Sequence, residues 1–248
     1  MNNALKNKVA VITGANSGIG LATAKELAAQ EATVLITGRR KDAIEAAAAE
    51  TGTIPFVADQ GVLEDINGLS EELQKRFGKI DILFINAGIT GSLGPIAGAS
   101  VENFDSVMNI NFRGAYFTLS KLIPLLNDGA SVVILSSIVA STYHPNSSVY
   151  QASKAALNSI AKTAAAELAP RNIRVNIISP GPHKTEVMKK SGLDAATLEQ
   201  INDQLVNKIP LKTMGDPADI AMLVAYLSGP QAGFITGSEI IMDGGMTL

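Results

Sequence analysis

Short, unbroken apolar runs recur along the 248 residues of this chain and constrain its fold more than any other feature. None of them alternates apolar with polar residues, so each is expected to form a strand that is buried on both faces. Stretches of helical character separate the runs, which predicts a parallel sheet covered by helices on both sides. The seven runs are residues 9–12, 34–36, 54–57, 82–85, 132–135, 175–178 and 240–242.

Strand and helix alternate to the end of the chain, which predicts the α/β class. We expect one doubly wound, Rossmann-type domain over residues 1–248, with about seven parallel strands and helices on both faces. A long insertion separates the last two strands, with a helix-like part at 194–206. It is expected to form a substrate lid at about 183–213, or else an ordinary surface excursion. The other helix-like stretches are 18–30, 42–50, 63–77, 101–127, 149–168 and 217–227.

The composition excludes several classes of function. The chain has no cysteine, so disulfides, thiolate zinc sites and cysteine nucleophiles are ruled out. With two histidines and no carboxylates at metal-ligand spacing, no metal site is expected. A formal net charge of -3 makes a nucleic-acid partner improbable on electrostatic grounds. No apolar run is long enough to span a membrane, so we expect a cytoplasmic protein.

A glycine-rich segment follows the first run directly and precedes the first helix-like stretch. Its glycines have the spacing Gly-x-x-x-Gly-x-Gly. Glycines in this position permit a tight turn and let a diphosphate approach the backbone, while the helix N-terminus offers N–H groups to the phosphate oxygens. We therefore predict a nucleotide site here rather than a merely structural turn. The predicted contact residues are Gly14, Asn16, Ser17, Gly18, Ile19 and Gly20.

This spacing is similar to that of the short-chain dehydrogenase/reductase family, whereas the commonest dinucleotide fold has Gly-x-Gly-x-x-Gly. Four further segments match the family: Asn86-Ala87-Gly88, Tyr150-Gln151-Ala152-Ser153-Lys154, Pro180-Gly181 and Asp243-Gly244-Gly245. The chain thus resembles the classical branch of the family over nearly its whole length. The resemblance implies an oxidoreductase, such as a carbonyl reductase, that transfers a hydride between a nicotinamide cofactor and a carbonyl or secondary alcohol.

Tyr150 and Lys154 are four residues apart in a helix-like stretch, so their side chains share one helix face. A nearby ammonium favours the ionised form of a phenol, which suits acid and base chemistry at moderate pH. By resemblance, Tyr150 is the acid and base, and Ser137 polarises the substrate oxygen, with Ser136 as the adjacent alternative. A serine at a strand end can also simply cap a turn.

Asn111 falls within the stretch predicted as one long helix, where its amide competes with the helical backbone bonds. By resemblance, this asparagine holds a water that connects Lys154 to solvent. The alternative is an asparagine that faces solvent with no further role. Together, the predicted catalytic residues are Asn111, Ser137, Tyr150 and Lys154.

The second predicted strand is followed by Gly38-Arg39-Arg40 and carries no acid at its end. An acid there would bind the adenine ribose and repel a 2'-phosphate, whereas Arg39 can bind that phosphate. The sequence therefore favours NADP(H) over NAD(H), unless Arg39 is only a solvated residue before a helix. Ser17 stands where many NADP(H)-dependent relatives have a basic residue, so this preference depends mainly on Arg39.

The resemblance also implies contacts along the rest of the cofactor. Asp59 resembles the acid that contacts adenine. The family lysine, here Lys154, also binds the nicotinamide ribose, as does the backbone after the fourth strand. His183 stands where relatives usually have an aliphatic residue, so only its backbone contact is carried over. The implied contacts are Asp59, Asn86, Ala87, Gly88, Tyr150, Lys154, Pro180, Gly181, His183 and Thr185.

The substrate pocket is predicted to consist of residues 90–93, 138–148 and 182–213, and its ligand to be a small carbonyl or alcohol. His144 either contacts substrate or lies in a surface loop. A 3-oxoacyl-(acyl-carrier-protein) reductase is the alternative, although residues 127–130, expected to end the long helix, lack the basic charge that would attract an acidic carrier. A dinucleotide-binding sensor or scaffold is a second alternative. The resemblance also implies a homotetramer built on paired long helices and the C-terminal strand.

Overall fold

The computed structural model describes residues 4–184 and 195–248, and these contain one sheet of seven strands. Their order is β3-β2-β1-β4-β5-β6-β7, and every neighbouring pair is parallel. The predicted doubly wound parallel sheet is therefore confirmed. The strands are β1 (Val9–Ile12), β2 (Thr33–Gly38), β3 (Ile54–Val57), β4 (Ile80–Ile85), β5 (Leu126–Leu135), β6 (Arg174–Pro180) and β7 (Glu239–Met242).

Eight α-helices accompany the sheet within the described residues, and two hydrophobic clusters cover its two faces. One cluster includes side chains of α3, α5 and α6, and the other includes side chains of α1, α2 and α8. None of the helices in this part of the chain is long and apolar enough to cross a membrane. The helices are α1 (Gly18–Ala29), α2 (Lys41–Thr51), α3 (Leu63–Phe77), α4 (Val101–Met108), α5 (Ala115–Leu122), α6 (Ser148–Leu168), α7 (Ala195–Lys208) and α8 (Pro217–Ser228).

Successive residues of a central strand enter opposite clusters. In β1, Val11 belongs to the cluster with α6, whereas Ala10 and Ile12 belong to the cluster with α1. Burial on both faces therefore explains the unbroken apolar runs. The same expectation is wrong for the two edge strands, since Val57 of β3 is 45% exposed and Ile241 of β7 is 51% exposed.

The predicted helix over residues 101–127 is wrong in its continuity and in its end. After α4 the chain widens into a π-helical turn, Asn109–Gly114, before α5 continues to Leu122. A short 3-10 turn follows, and β5 already begins at Leu126. Residues 127–130 therefore lie in a strand and do not end a helix.

The parallel arrangement brings the carboxyl ends of all the strands to one edge of the sheet, where ligands bind in such folds. The glycine-rich segment follows β1 at this edge, and the residues after β2, β4, β5 and β6 are the other predicted site segments. The helix-like part of the long insertion is present as α7. The lid itself stays a prediction, because residues 185–194 lie outside the described part of the chain.

Candidate active site

The glycine-rich segment between β1 and α1 packs so closely on residues 86 and 87, just after β4, that positions 14 and 20 have no room for a side chain. Gly14 has φ +66°, and a β-carbon there would lie 2.7 Å from the Cα of Ala87. A β-carbon on Gly20 would lie 2.6 Å from the Nδ2 of Asn86. Asn16, Ser17, Gly18 and Ile19 complete the segment, and α1 has no acidic residue in its first turn. Its positive N-terminal end thus suits an anion.

Asn86 fastens this segment to the sheet. Its Nδ2 donates to the carbonyl oxygens of Thr13 at 2.8 Å and Gly14 at 2.9 Å. The hydroxyl of Thr13 accepts hydrogen bonds from the backbone N–H groups of Asn86 and Ala87. The side chain of Asn86 therefore shapes the loop, and a ligand contact of residues 86–88 stays a prediction.

The residues predicted at the adenine end lie after β2 and β3. Arg39 is exposed and makes no ion pair with any residue that the structure describes. Asn16 also lies near the end of β2, since its Oδ1 is 3.4 Å from where a β-carbon on Gly38 would be. Asp59 is half-buried, and its Oδ1 accepts from the N–H of Gly61 at 2.8 Å.

Tyr150 lies in the first turn of α6, and its phenol shares a hydrogen bond with Ser137 at the end of β5. Burial raises the pKa of Tyr150, and the hydrogen bond with Ser137 lowers it only in part. The net shift of the Tyr150 pKa is therefore upward, opposite in direction to the effect expected from the ammonium of Lys154 alone. At neutral pH, Tyr150 is a protonated phenol beside a serine hydroxyl.

Lys154 lies one turn further along α6 and is buried. Its Nζ donates to the carbonyl oxygen of Leu135 at 2.8 Å and lies 5.9 Å from the centre of the Tyr150 ring. Burial lowers the pKa of Lys154 to about 8. This ammonium thus lies close to the Tyr150 ring and loses its charge at a moderately alkaline pH.

The two serines after β5 differ in what they contact. Ser136 is buried, and its hydroxyl donates to the backbone oxygen of Lys154 at 3.3 Å. Ser137 contacts the Tyr150 phenol, and its Oγ also accepts from the N–H of Val139 at 3.4 Å. Ser137 is therefore the serine that the structure brings to the phenol, and it caps the following turn as well.

Asn111 lies in the π-helical turn and is fully buried, so it does not face solvent. Its Oδ1 accepts from the N–H of Ile89 at 2.8 Å. Its Nδ2 donates to the Ile89 oxygen at 2.8 Å and to Ser153 Oγ at 3.0 Å. Asn111 therefore joins the segment after β4 to the helix that carries Tyr150 and Lys154, and the water relay stays a prediction.

The segment after β6 packs against the end of β7. Gly181, which follows Pro180, donates its N–H to the oxygen of Met242 at 2.9 Å. The His183 ring is buried, and its Nδ1 lies 3.0 Å from the oxygen of Gly181. A β-carbon on Gly215 would lie 2.4 Å from the Nε2 of His183, so the imidazole requires glycine there. Thr185 lies outside the described residues.

A cavity of about 150 Å³ opens beside Tyr150. The cavity includes parts of the predicted pocket segments 90–93 and 138–148. It also includes residues from 98–103, before and at the start of α4, which the sequence did not indicate. His144 is exposed, and its carbonyl oxygen accepts hydrogen bonds from the side chains of Ser147 and Gln151. The lining residues are Thr90, Ser92, Leu93, Gly94, Gly98, Ala99, Ser100, Asn103, Asn146, Ser147, Ser148, Val149 and Tyr150.

Comparisons with known proteins find relatives over nearly the whole chain. A family model described as Enoyl-(Acyl carrier protein) reductase matches residues 14–247. Dehydrogenase/reductase SDR family member 4 from Homo sapiens is 36% identical over 251 residues, which cover 97% of this chain and 88% of that protein. The chain belongs to the short-chain dehydrogenase/reductase family.

Other relatives in this family are named for different activities. The 3-oxoacyl-(acyl-carrier-protein) reductase FabG from Thermotoga maritima is 33% identical over 251 residues, covering 98% of this chain and 99% of that protein. A solved structure from Brucella melitensis, named as a short-chain dehydrogenase/reductase of the glucose/ribitol dehydrogenase kind, matches with a TM-score of 0.92 at 31% identity. The match covers 100% of both chains.

Short-chain dehydrogenases/reductases are oxidoreductases that bind a nicotinamide dinucleotide, and the residues of this chain fit one. The glycine-rich segment leaves bare backbone at the positive end of α1, where β-carbons would collide with residues 86 and 87. A β-carbon on Gly88 would lie 3.2 Å from Asn111 Oδ1 and 3.5 Å from Lys154 Nζ. The backbone at residue 88 thus lies directly beside the buried ammonium.

Proposed function

We propose that the protein is an NADP(H)-dependent oxidoreductase that transfers a hydride between the nicotinamide and a carbonyl or secondary alcohol substrate. The observation that carries this proposal is the hydrogen bond between Ser137 and the protonated Tyr150 phenol, with Lys154 beneath them and a cavity beside them. These groups lie at the carboxyl edge of the sheet, together with the glycine-rich segment. Proton donor, polarising hydroxyl and cofactor site are therefore close together.

In the reducing direction, the Ser137 hydroxyl hydrogen-bonds the carbonyl oxygen and orients it toward Tyr150. When bound, the nicotinamide dinucleotide supplies the hydride for the carbonyl carbon. Tyr150 donates its phenolic proton to the oxygen, and the raised pKa of this phenol keeps that proton available at neutral pH. The positive charge of Lys154 stabilises the phenolate that remains. In oxidation, the phenolate accepts the alcohol proton instead.

The residues that would hold the cofactor are those predicted from the sequence. The segment from Gly14 to Gly20 would bind the diphosphate, Asp59 the adenine, and Lys154 the nicotinamide ribose together with the backbone of residues 86–88. The segment from Pro180 through His183 to Thr185 would bind the carboxamide. The buried ring of His183 packs on Gly215, which supports a contact through its backbone.

Arg39 supports the choice of NADP(H), because it lies exposed after β2 without an ion-pair partner in the described part of the chain. We expect Arg39→Asp to weaken NADPH binding by about 10- to 100-fold and to affect NADH little or favourably, because a bidentate charged hydrogen bond to the 2'-phosphate is lost. Dissociation constants measured from NADPH and NADH fluorescence test this. Arg40→Asp is the matched control, and a wild-type protein that binds both cofactors equally would contradict the preference.

A small free carbonyl or alcohol is the proposed substrate, and the cavity beside Tyr150 supports it with mostly hydroxyl, amide and small apolar groups. The similarity to FabG keeps an acyl-carrier substrate as the alternative. Residues 127–130 lie near the start of β5, and Asp128 is paired with Arg171 at 2.9 Å, which offers little free positive charge to an acidic carrier. NADPH absorbance with small ketones, sugars and acetoacetyl thioesters tests the proposal. Turnover of thioesters alone would favour the alternative, and turnover of none would reject the proposed activity.

Self-association as a homotetramer is part of the same proposal. Apolar side chains stay exposed on β7 and near it, namely Phe234, Ile241 and Leu248, and at the start of α4, namely Val101 and Phe104. Two such surfaces suit an assembly with two kinds of contact. Sedimentation at micromolar concentration is expected to give the tetramer mass, and a monomer would contradict this. A cytoplasmic location stays a prediction from the sequence.

A further inference from the structure

Gln60 is a buried amide next to the predicted adenine contact Asp59, and only 7% of its surface is exposed. Its Nε2 donates to two backbone oxygens that are distant along the chain, Ala87 at 3.2 Å and Ile110 at 3.0 Å. Both backbone oxygens can only accept hydrogen bonds, so the amide nitrogen of Gln60 must face them. The Oε1 has no hydrogen-bond partner among the described residues. The two bonds of Nε2 therefore hold this side chain in place.

The first acceptor belongs to the segment that packs on the glycine-rich loop. A β-carbon on Gly14 would lie 2.7 Å from the Cα of Ala87. The backbone N–H of Ala87 donates to the Thr13 hydroxyl at 3.1 Å. A hydrogen bond to Ala87 O therefore fixes the end of β4 where the cofactor loop touches it.

The second acceptor belongs to the π-helical turn, Asn109–Gly114, and Ile110 directly precedes Asn111. This turn also lies against the backbone of Gln60, because a β-carbon on Gly114 would fall 2.0 Å from the Gln60 oxygen. Single π-helical turns within helices are rare and frequently occur at functional sites. Gln60 thus contacts this turn through both its backbone and its side chain.

The π-helical turn contains Asn111, which contacts other residues of the candidate active site. Asn111 makes three hydrogen bonds that join Ile89 to Ser153 of α6, and its Oδ1 lies 3.2 Å from where a β-carbon on Gly88 would be. Lys154 Nζ lies 3.5 Å from the same point. A shift of the π-helical turn would therefore move Asn111 relative to Lys154 and to the segment after β4.

We propose that Gln60 is a positioning residue, which holds the π-helical turn against the segment 86–88 and so sets where Asn111 lies beside Lys154. The alternative is a purely structural role, in which the two hydrogen bonds of Gln60 add stability as they would at any site. The inference rests on the proposed oxidoreductase function, because its effect on catalysis acts through Lys154 and Tyr150. Gln60 itself touches neither of these side chains in the described contacts.

Gln60→Met retains the length of the side chain and removes both donors. We expect kcat to fall by about 10- to 100-fold, because misplacement of a reacting group by about 1 Å has that effect, while KM for NADPH changes less than about threefold. The midpoint of the pH profile of kcat should also move, because the surroundings of Lys154 change. Asn176→Leu is the control, since Asn176 is also a fully buried amide, donating to Ile235 O at 2.8 Å away from this site. It should lower stability and leave the pH profile in place.

Gln60→Glu supplies a second, independent readout. The introduced carboxyl can donate one hydrogen bond only while it is protonated, and its ionised form would face two carbonyl oxygens. Its kcat relative to wild type should therefore be highest at acidic pH and fall as the pH rises, whereas the relative kcat of Gln60→Met should show no such acid rescue. Equal pH profiles for wild type and both variants, with only their stability lowered, would overturn the positioning role.

Hydrogen exchange tests the same inference without any turnover. The amides of residues 109–114 should exchange faster in Gln60→Met than in wild type, and those of the same turn in Asn176→Leu should not. Unchanged exchange in Gln60→Met would overturn the proposal even in an active enzyme. If instead the wild type reduces no carbonyl in the panel and exchange at 109–114 is still faster in Gln60→Met, the proposed function fails and the structural part of the inference stands.

Discussion

Replacing Tyr150 with phenylalanine is expected to lower kcat by about 10²- to 10⁴-fold, the usual contribution of a positioned general acid. The change removes one hydroxyl, which is both the proposed proton donor and the partner of Ser137. The ring and its place in the first turn of α6 are retained, so the glycine-rich segment should bind NADPH with nearly unchanged affinity. Turnover by NADPH absorbance and binding by NADPH fluorescence, measured on the same preparation, separate these two effects.

Tyr226→Phe is the matched control for this prediction. It removes the hydroxyl of a tyrosine in α8 that is 47% exposed and lies outside the cavity beside Tyr150. Its kcat should equal that of the wild type. If Tyr150→Phe kept more than about a tenth of the wild-type kcat, another group would have to donate the proton, and Tyr150 would lose its proposed role.

The predicted strands agree with the structure because burial on both faces makes nearly every residue of a central strand apolar. Val132 to Leu135 illustrate this, since all four are buried and all were recognised as a strand. The exposure of Val57 and Ile241 could not be predicted in the same way. Whether a strand lies at an edge depends on the order of the strands in the sheet, and a local run of residues does not contain that order.

Sequence motifs predicted most residues of the candidate site. The remaining features depend on packing between segments that are distant along the chain. Ser137, Tyr150 and Lys154 lie close together because strand ends and helix spacing follow simple geometric rules. Gln60 carried no such signal, since its two acceptors lie 27 and 50 residues away along the chain. The raised pKa of Tyr150 likewise results from burial, which the spacing of Tyr150 and Lys154 does not describe.

Lys154→Met is expected to abolish most of the activity and, at neutral pH, to relieve the protein of a buried charge. The folded protein binds the Lys154 proton less tightly than the unfolded chain, because burial lowers the pKa from 10.5 to about 8. Below pH 8 the charged form therefore costs the folded wild type about 3 kcal/mol, at about 1.4 kcal/mol for each unit of pKa. The loss of the hydrogen bond to Leu135 O offsets part of this gain in the variant, by about 1 kcal/mol.

The pH dependence separates the charge from the lost hydrogen bond. Between pH 8 and pH 10.5 the unfolded wild-type chain binds more protons at Lys154 than the folded protein, so the stability of the wild type rises with pH relative to Lys154→Met. Denaturant unfolding at fixed protein concentration measures the free energy of unfolding of both proteins. Across this range, the value for the wild type should rise by about 3 kcal/mol relative to that for Lys154→Met. Lys162→Met, at an exposed position of the same helix, should show no such change because water solvates that ammonium in both states. A pH-independent difference for Lys154→Met would mean that Lys154 binds its proton equally tightly in the folded and unfolded chains, so that burial does not lower its pKa. A difference that kept changing far below pH 8 would mean that the folded amine is uncharged at neutral pH, and that Lys154 does not supply the positive charge proposed to stabilise the phenolate.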